Sequence, residues 1–315
     1  MTKNELTNHD QLLRAAILYY EQNMTQEQVA KSIGVSRPVV SKLLQRARDN
    51  HLVEFFVKDP DKQNCELELE IQKKYNLNSV KVVSTRFNRT SSSVLSQAGF
   101  LTAQYLRSII NNVSSIGIGW GNAISYFVAE SEYITAGKLT VVPLVGGLGL
   151  LNLDIHANHL VAELASKLDA RYSTFYAPVI ADSEESAGEL RKSSLVSSAL
   201  DAAKNVDVAF IGVGNDVETS TWRKLDYITE SETQELTDAG AIGDVVADFF
   251  DDKGCTVHTD FSNRLIGITI DDLKDIKNVV VTAVGEKKAK GIKVLLENHV
   301  INTLIIDRDI AEKVV

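Results

Sequence analysis

Residues 25–48 (TQEQVAKSIGVSRPVVSKLLQRAR) constrain this chain more tightly than any other stretch. Thr25 stands at a helix N-cap position and Gln28 at the third helical position, the pairing of a capping box. Gly34 and Val35 supply a tight turn. Ser36 is then placed to cap a second helix, with Pro38 inside its first turn, where a missing N–H is tolerated. That helix is expected to run to about Asn50, and HLVEFFV to follow as a short strand. Val29, Ile33, Val35, Val40, Leu43 and Leu44 fall on facing sides and predict a miniature core. A preceding helix over 10–22 would add Leu12, Leu13, Ala16, Ile17 and Tyr20.

The same spacing leaves Thr25, Gln26, Ser36, Arg37, Pro38, Ser41, Lys42 and Arg46 at leading ends or on the outer face. Residues 36–48 hold four cations (Arg37, Lys42, Arg46 and Arg48) and no carboxylate. Two short helices joined by a tight turn are how a helix-turn-helix enters the major groove. Arg37 is the expected base reader, because a guanidinium bonds guanine O6 and N7 together. Gln26, Ser41 and Arg46 suit phosphates, which position without specifying sequence. The competing reading is a helical bundle with a solvated charged face. The ordered run of cap, turn, Ser-Arg-Pro and acid-free cations favours DNA.

Net charge is −9 over 315 residues, which taken whole argues against nucleic acid. Residues 1–58, however, hold eight Lys/Arg against six Asp/Glu, a net of +2, and leave −11 to the rest. Affinity for DNA follows local phosphate neutralisation, and an acidic body suppresses nonspecific sticking. The two cysteines, Cys65 and Cys255, are far apart and lack metal-ligand spacing, which excludes zinc fingers and iron–sulfur sites. His156 and His159, three apart, could hold a metal or serve as acid and base, but surface or capping roles are favoured, and no metal or cofactor is expected. There is no signal-peptide pattern and no apolar run long enough to span a bilayer, so a cytoplasmic chain without a membrane partner is the expectation.

Three segments emerge: a helix-turn-helix domain over 1–58, a connector helix over 59–80, and a large domain over 81–315 for effector binding and oligomerisation. In the large domain apolar runs (VKVVS, SSIGIGW, LTVVPLV, YSTFYAPV, VDVAFIGVG, NVVVTAVG and TLIID) alternate with helical patterns near 90–112, 121–131, 155–168, 187–204, 233–239, 288–297 and 309–314. Such alternation predicts an α/β domain with a mostly parallel sheet covered by helices on both faces.

Glycines cluster after three of these runs: Gly117, Gly119 and Gly121, then Gly146, Gly147 and Gly149, then Gly212 and Gly214. In open α/β sheets ligands bind at the carboxyl ends of strands, where glycines admit backbone N–H groups to phosphate oxygens. A pocket for a small anionic metabolite is expected there, although glycine is also the ordinary residue of strand-to-helix turns. No cluster matches the dinucleotide fingerprint, and no Walker lysine follows one. Candidate polar partners are Asn122, Asp154, His156, Asn158, His159, Arg171, Asp244, Glu286 and Lys288. Lys288 follows a strand and opens a helix, which would put a cation at the glycine-lined edge.

LYYEQNMTQEQVAKSIGVSRPVVSKLLQRAR closely resembles the N-terminal domain of the SorC family of bacterial sugar-responsive transcription regulators. The resemblance continues through IGIGWGNAI, VVPLVGGLG, HANHLVAELASKL, GDVVADFFD, NRLIGITI and AVGEKKAKGI, nearly the whole chain. Across PLVGGLG and HANHL it is nearest the branch of central glycolytic gene regulators. It implies a winged-type helix-turn-helix joined to a domain related to sugar-phosphate isomerases and deaminases. It further implies assembly as a dimer or tetramer, and a phosphorylated sugar effector that alters operator affinity. Carried over by position, the pocket would include Gly119, Gly121, Asn122, Gly146, Gly147, Leu148 and Gly149. Lys288 would meet the phosphate, with Asp154, Asn158 and Asp244 nearby. Two positions depart from the family pattern. Asn122 replaces a frequent Ser/Thr, and Val145 replaces a lysine that in some members could form an imine, so binding here would be noncovalent. The expectation is a regulator, a repressor and not an enzyme. The competing reading is a sugar-phosphate isomerase or deaminase with His156, Asp154 or Asp244 as acid–base residues.

Overall fold

The computed structural model describes residues 3–50, 52–53, 61–84, 90–149 and 152–315, with the backbone alone for 3–8. Its contacts divide the chain into two compact units, Met1–Pro60 and Asp61–Val315.

The smaller unit is helical: α1 (Lys3–Ala16), a π-helical turn (Ile17–Glu21), α2 (Gln26–Ile33) and α3 (Arg37–Asp49). Thr25 caps α2 with the expected capping box. Its hydroxyl accepts from Gln28 N at 3.3 Å, and Gln28 Oε1 accepts from Thr25 N at 2.8 Å. Gly34 ends α2 in the left-handed region at φ 75°. Ser36 is the N-cap of α3, but its side chain accepts no hydrogen bond. Pro38, the second residue of that helix, removes one of the N–H groups a cap would bind. Leu12, Ala15, Ala16, Val29, Ala30, Val40, Leu43, Leu44 and Ala47 form the core, with Ile33, Val35 and Tyr20 at its margin. Leu13 is exposed at 39%, and Ala15 takes the inward place expected for it. The expected strand over 51–57 falls almost wholly outside the described residues; Leu52 and Val53 form a bend.

The larger unit holds a seven-stranded, all-parallel sheet of order β1-β9-β8-β5-β2-β3-β4. Its strands are β1 (Ser79–Val83), β2 (Ser115–Ile118), β3 (Thr140–Pro143), β4 (Arg171–Tyr172), β5 (Val208–Ile211), β8 (Val279–Ala283) and β9 (Thr303–Asp307). A separate antiparallel hairpin joins β6 (Gly243–Val245) to β7 (Asp248–Phe250). Side chains alternate across the sheet, as the pleat requires. Ile116, Ile118, Val208, Phe210, Val280 and Ile305 enter one core with α5 (Ser91–Ile109), α6 (Asn122–Glu130) and α7 (Ala157–Lys167). Ala209, Ile211, Val279, Val281, Leu304 and Ile306 enter the other. That second core is closed by α4 (Lys62–Tyr75), α12 (Ile270–Asp275), α13 (Ala289–Glu297) and α14 (Arg308–Val314). The remaining helices are α8 (Glu184–Lys192), α9 (Ser194–Lys204), α10 (Thr221–Lys224) and α11 (Glu230–Asp238). The single helix expected over 187–204 is two, divided at Ser193, whose ψ of 140° is extended. α4 packs into the larger unit, with Ile71 wholly buried there.

The chain steps from β2 outward to β3 and β4, then returns to the other side of β2 as β5 and continues to β8 and β9. The gap between the carboxyl ends of β2 and β5 is therefore a topological switch point, where loops diverge and leave a crevice.

Candidate functional site

That crevice holds a cavity lined by Gly119, Trp120, Gly121, Asn122, Ile211, Gly212, Gly214, Thr221, Asp244, Val246 and Lys288. An adjoining outer cavity of about 280 Å³ shares Asn122, Gly214, Thr221 and Lys288, and adds Lys224, Gly285, Glu286 and Lys287. Local sequence explains the arrangement. β2 runs out through Gly119-Trp120-Gly121 into α6, whose N-cap Gly121 offers no side chain to its first turn. β5 runs out through Gly212-Val213-Gly214 beneath the β6–β7 hairpin, where Gly214 N donates to Asp244 O at 2.8 Å. A Cβ on Gly214 would lie 1.7 Å from Asp244 Oδ1, so only glycine lets the carboxylate occupy its place.

Asp244 is 6% exposed, and Trp222 Nε1 donates to its Oδ2 at 3.0 Å. Its Oδ1 is buried with no hydrogen-bond partner among the described residues. Burial pushes the carboxyl up to about 6, against the opposing pull of Trp222 and the positive charge of Lys288. Burial likewise lowers Lys288, which Asp244 and Asp307 hold up and Lys224 lowers further. Trp120 packs edge-on against Trp222, with ring centroids 4.8 Å apart, and donates through Nε1 to Val246 O at 2.5 Å. Val246 takes φ 55° in the hairpin turn, a conformation that costs a β-branched residue about 1–3 kcal/mol. An ammonium group beside an uncapped helix start can hold an anion. The second oxygen of Asp244, buried against the same cavity, is a hydrogen-bond acceptor left unfilled among the described residues.

Of the residues expected at this site, the structure brings Gly119, Gly121, Asn122, Asp244 and Lys288 together, with exposed Glu286 at the outer mouth. Glu286 pairs with Lys313, which holds its carboxyl below the ordinary range. The second glycine cluster does not line either cavity. Gly146 N donates to Ile266 O and Gly147 N to Ala177 O, so these N–H groups are spent on neighbouring loops. Leu148 is buried in the core, and Gly149 is exposed at φ 123°. Asn158 is turned to the Phe175 backbone, with Oδ1 accepting from its N and Nδ2 donating to its O. Asp154 is exposed on a short 3-10 turn, and Val145 is a fully buried core residue.

His156 is buried, bonds Tyr227 Oη through Nε2 at 2.9 Å, and is lowered by that burial. His159 is exposed and 4.0 Å from Glu163, and Arg171 is exposed on the edge strand. No cluster of three metal-ligating side chains exists among the described residues. Nor is any described helix long and apolar enough to cross a membrane. Sequence reading overlooked Trp120, Trp222, Thr221 and Val246. The hairpin that brings Asp244 and Val246 inward turns on Val246-Ala247, which lacks the Gly, Asn or Asp that announces a two-residue turn.

On the smaller unit Thr25, Ser36, Arg37, Pro38, Ser41, Lys42 and Arg46 are all exposed, and Gln26 is partly so. Arg48 is tied to Gln45, and Gln45 in turn to Asp49.

Residues 59–315 match the family model described as "Putative sugar-binding domain". The sorbitol operon regulator of Klebsiella pneumoniae is 27% identical over 96% of this chain and 96% of its own. The deoxyribonucleoside regulator of Bacillus subtilis is 26% identical over the same shares. Among solved structures, the full-length Klebsiella pneumoniae regulator superposes with a TM-score of 0.74 at 26% identity, covering 96% of this chain and 97% of that one. A DeoR family transcriptional regulator from Listeria monocytogenes gives 0.75 at 28% identity, covering 81% of this chain and all of that one. With its family model matched over most of its length and its fold shared with these regulators, the chain belongs to the sugar-binding domain family of SorC-type transcription regulators.

Proposed function

We propose that the chain is a sequence-specific, DNA-binding transcription repressor of a sugar or nucleoside catabolic operon, controlled by noncovalent binding of a phosphorylated sugar. The observation that carries this reading is the pairing of Lys288 with the unpartnered Asp244 Oδ1 in one cavity at the switch point. The phosphate meets Lys288 and the first turn of α6, with Lys224 and Lys287 at the mouth; a sugar hydroxyl meets Asp244. Binding is reversible because Val145 offers no amine for an imine. α2 and α3 act as a helix-turn-helix: Arg37 reads a base edge, and Thr25, Gln26, Ser36, Pro38, Ser41, Lys42 and Arg46 line the duplex. Dimers or tetramers present these helices in pairs, so half-site spacing reports the assembly. The names of the relatives support a regulator of sugar genes, and an effector that prefers one conformation shifts the balance between states.

The test is a gel shift on the promoter of the adjacent operon with sugar phosphates titrated in, run on the full chain. Active compounds should release the duplex, and Lys288→Met should abolish the response while leaving ligand-free binding unchanged. Arg37→Ala should weaken specific binding by about 1–3 kcal/mol and relax one base position. If no compound alters retention, the effector reading is wrong; if Arg37→Ala binds like the unchanged chain, the DNA reading is.

A further inference from the structure

The turn that carries Lys288 is held from outside by α14. Gly285 opens that turn at φ 107°, and its N–H donates to Asp307 Oδ2 at 2.6 Å. The other oxygen of Asp307 accepts from Ile310 N at 3.0 Å, so one buried carboxylate fixes the turn and caps α14 together. Glu286, two residues before Lys288, pairs with Lys313 in the last turn of the same helix. At the far end of α14, Val314 O accepts from Tyr75 Oη at 2.7 Å and from Lys74 Nζ at 3.3 Å. Both donors sit in the last turn of α4. α4 is pinned to β1 in turn, with Glu68 accepting from Val82 N at 2.9 Å. Seven helical residues, about 10 Å, therefore join the lysine's turn to α4. Ile310, Ala311 and Val314 are fully buried, so α14 moves only by repacking its neighbours. In sequence, α4 is the first helix after the segment that leaves the smaller unit.

We infer that Asp307 is a positioning residue for Lys288, and that α14 couples the lysine's turn to α4, so that an anion drawn onto Lys288 is registered at the helix that opens the large unit. The inference rests on the ligand site proposed above. A chain of contacts is evidence of coupling only when a change at one end is felt at the other.

Hydrogen–deuterium exchange on the full chain supplies that evidence without a known effector. Asp307→Asn keeps an oxygen for Ile310 N but sets an amide N–H₂ against Gly285 N–H, donor facing donor. Exchange should become roughly tenfold faster in segment 284–290 and also in 70–77. Tyr75→Phe deletes one hydroxyl at the other end and leaves the lysine's turn intact. Inorganic phosphate should slow exchange in both segments of the unchanged chain; in Tyr75→Phe, where Lys74 alone still donates to Val314 O, it should slow 284–290 as before and 70–77 less. Two results overturn the inference: an unaltered 284–290 in Asp307→Asn, or a faster 284–290 with 70–77 unmoved. Phosphate that protects neither segment of the unchanged chain counts against the ligand site instead, and the Asp307→Asn comparison still decides the coupling. Should Asp307→Asn fail to fold, Lys313→Gln loosens the same turn from the opposite side of Glu286 and is judged by the same two segments.

Discussion

A carboxylate in a dry site is stabilised by protonation or by a partner, and Asp244 has one of its two oxygens satisfied. Its raised value, about 6 against an ordinary 3.8, fixes the sign of its effect on folding. The folded chain binds the proton more tightly than the unfolded one, so this residue stabilises the fold most at acid pH. That contribution is lost as pH rises from about 4 through about 6, and by neutrality the loss amounts to roughly 3 kcal/mol. Asp244→Asn keeps the shape and removes the charge. It should melt higher than the unchanged chain at pH 7.5, and the difference should vanish near pH 4. Calorimetry at the two pH values checks this, and equal slopes for both proteins would falsify the account. Lys288 faces the reverse problem, an amine lowered by burial against the opposing pull of Asp244 and Asp307. The proposed sugar phosphate would meet both, its phosphate countering the lysine and a sugar hydroxyl donating to the aspartate.

At the scale of elements, the sequence was legible wherever a period or a cap leaves a local trace. The Thr25 capping box, the Gly34 turn and six of the seven parallel strands could be read from residue order, because apolar runs and cap chemistry act over a few residues, whereas the run YSTFYAPV meets β4 only at Tyr172. Lys288 and the Gly119-Trp120-Gly121 exit from β2 were legible for the same reason: each lies in the short turn that leaves a strand. The rest of the site was not. Asp244 was expected from the family pattern, but its neighbour Val246 arrives through a hairpin whose turn has no turn residue, and Trp222 arrives on the separate short helix α10. Conversely, Gly146 and Gly147 look like a phosphate loop but serve Ile266 and Ala177, a pairing between distant segments that no local pattern encodes. Gly214 is the element-scale hinge of the site. Gly214→Ala must drive the new Cβ into Asp244 and displace the β6–β7 hairpin, at a cost of about 1–3 kcal/mol. Sugar-phosphate binding should fall in parallel, measured by calorimetric titration; full affinity with an unshifted melting point would show that the hairpin yields freely.

At the scale of the molecule, two compact units carry the proposed output and input separately, and both tryptophans lie in the larger one. Trp120 lines the cavity and Trp222 bonds the carboxylate within it. Intrinsic fluorescence should therefore change on ligand binding and, during denaturation, follow the larger unit alone, whereas circular dichroism follows both. A sugar phosphate at a hundred times its dissociation constant should shift the fluorescence transition by about 2.7 kcal/mol. The helical signal of the smaller unit should not follow it. Coincident transitions with and without ligand would show that the units melt as one.

The order of the sheet also sets a timetable on the ribosome. Among the described residues β1 lies at an edge of the sheet and its only strand partner is β9, with Ser79 opposite Thr303. The strand synthesised first must wait for the one synthesised last. At ordinary elongation rates of roughly 5–20 residues per second, that wait is on the order of 10–45 s. The small unit closes its core between Leu12 and Ala47 and needs no such delay. If the small unit binds DNA as proposed, a newborn chain would own that surface well before it owns the domain proposed to control it.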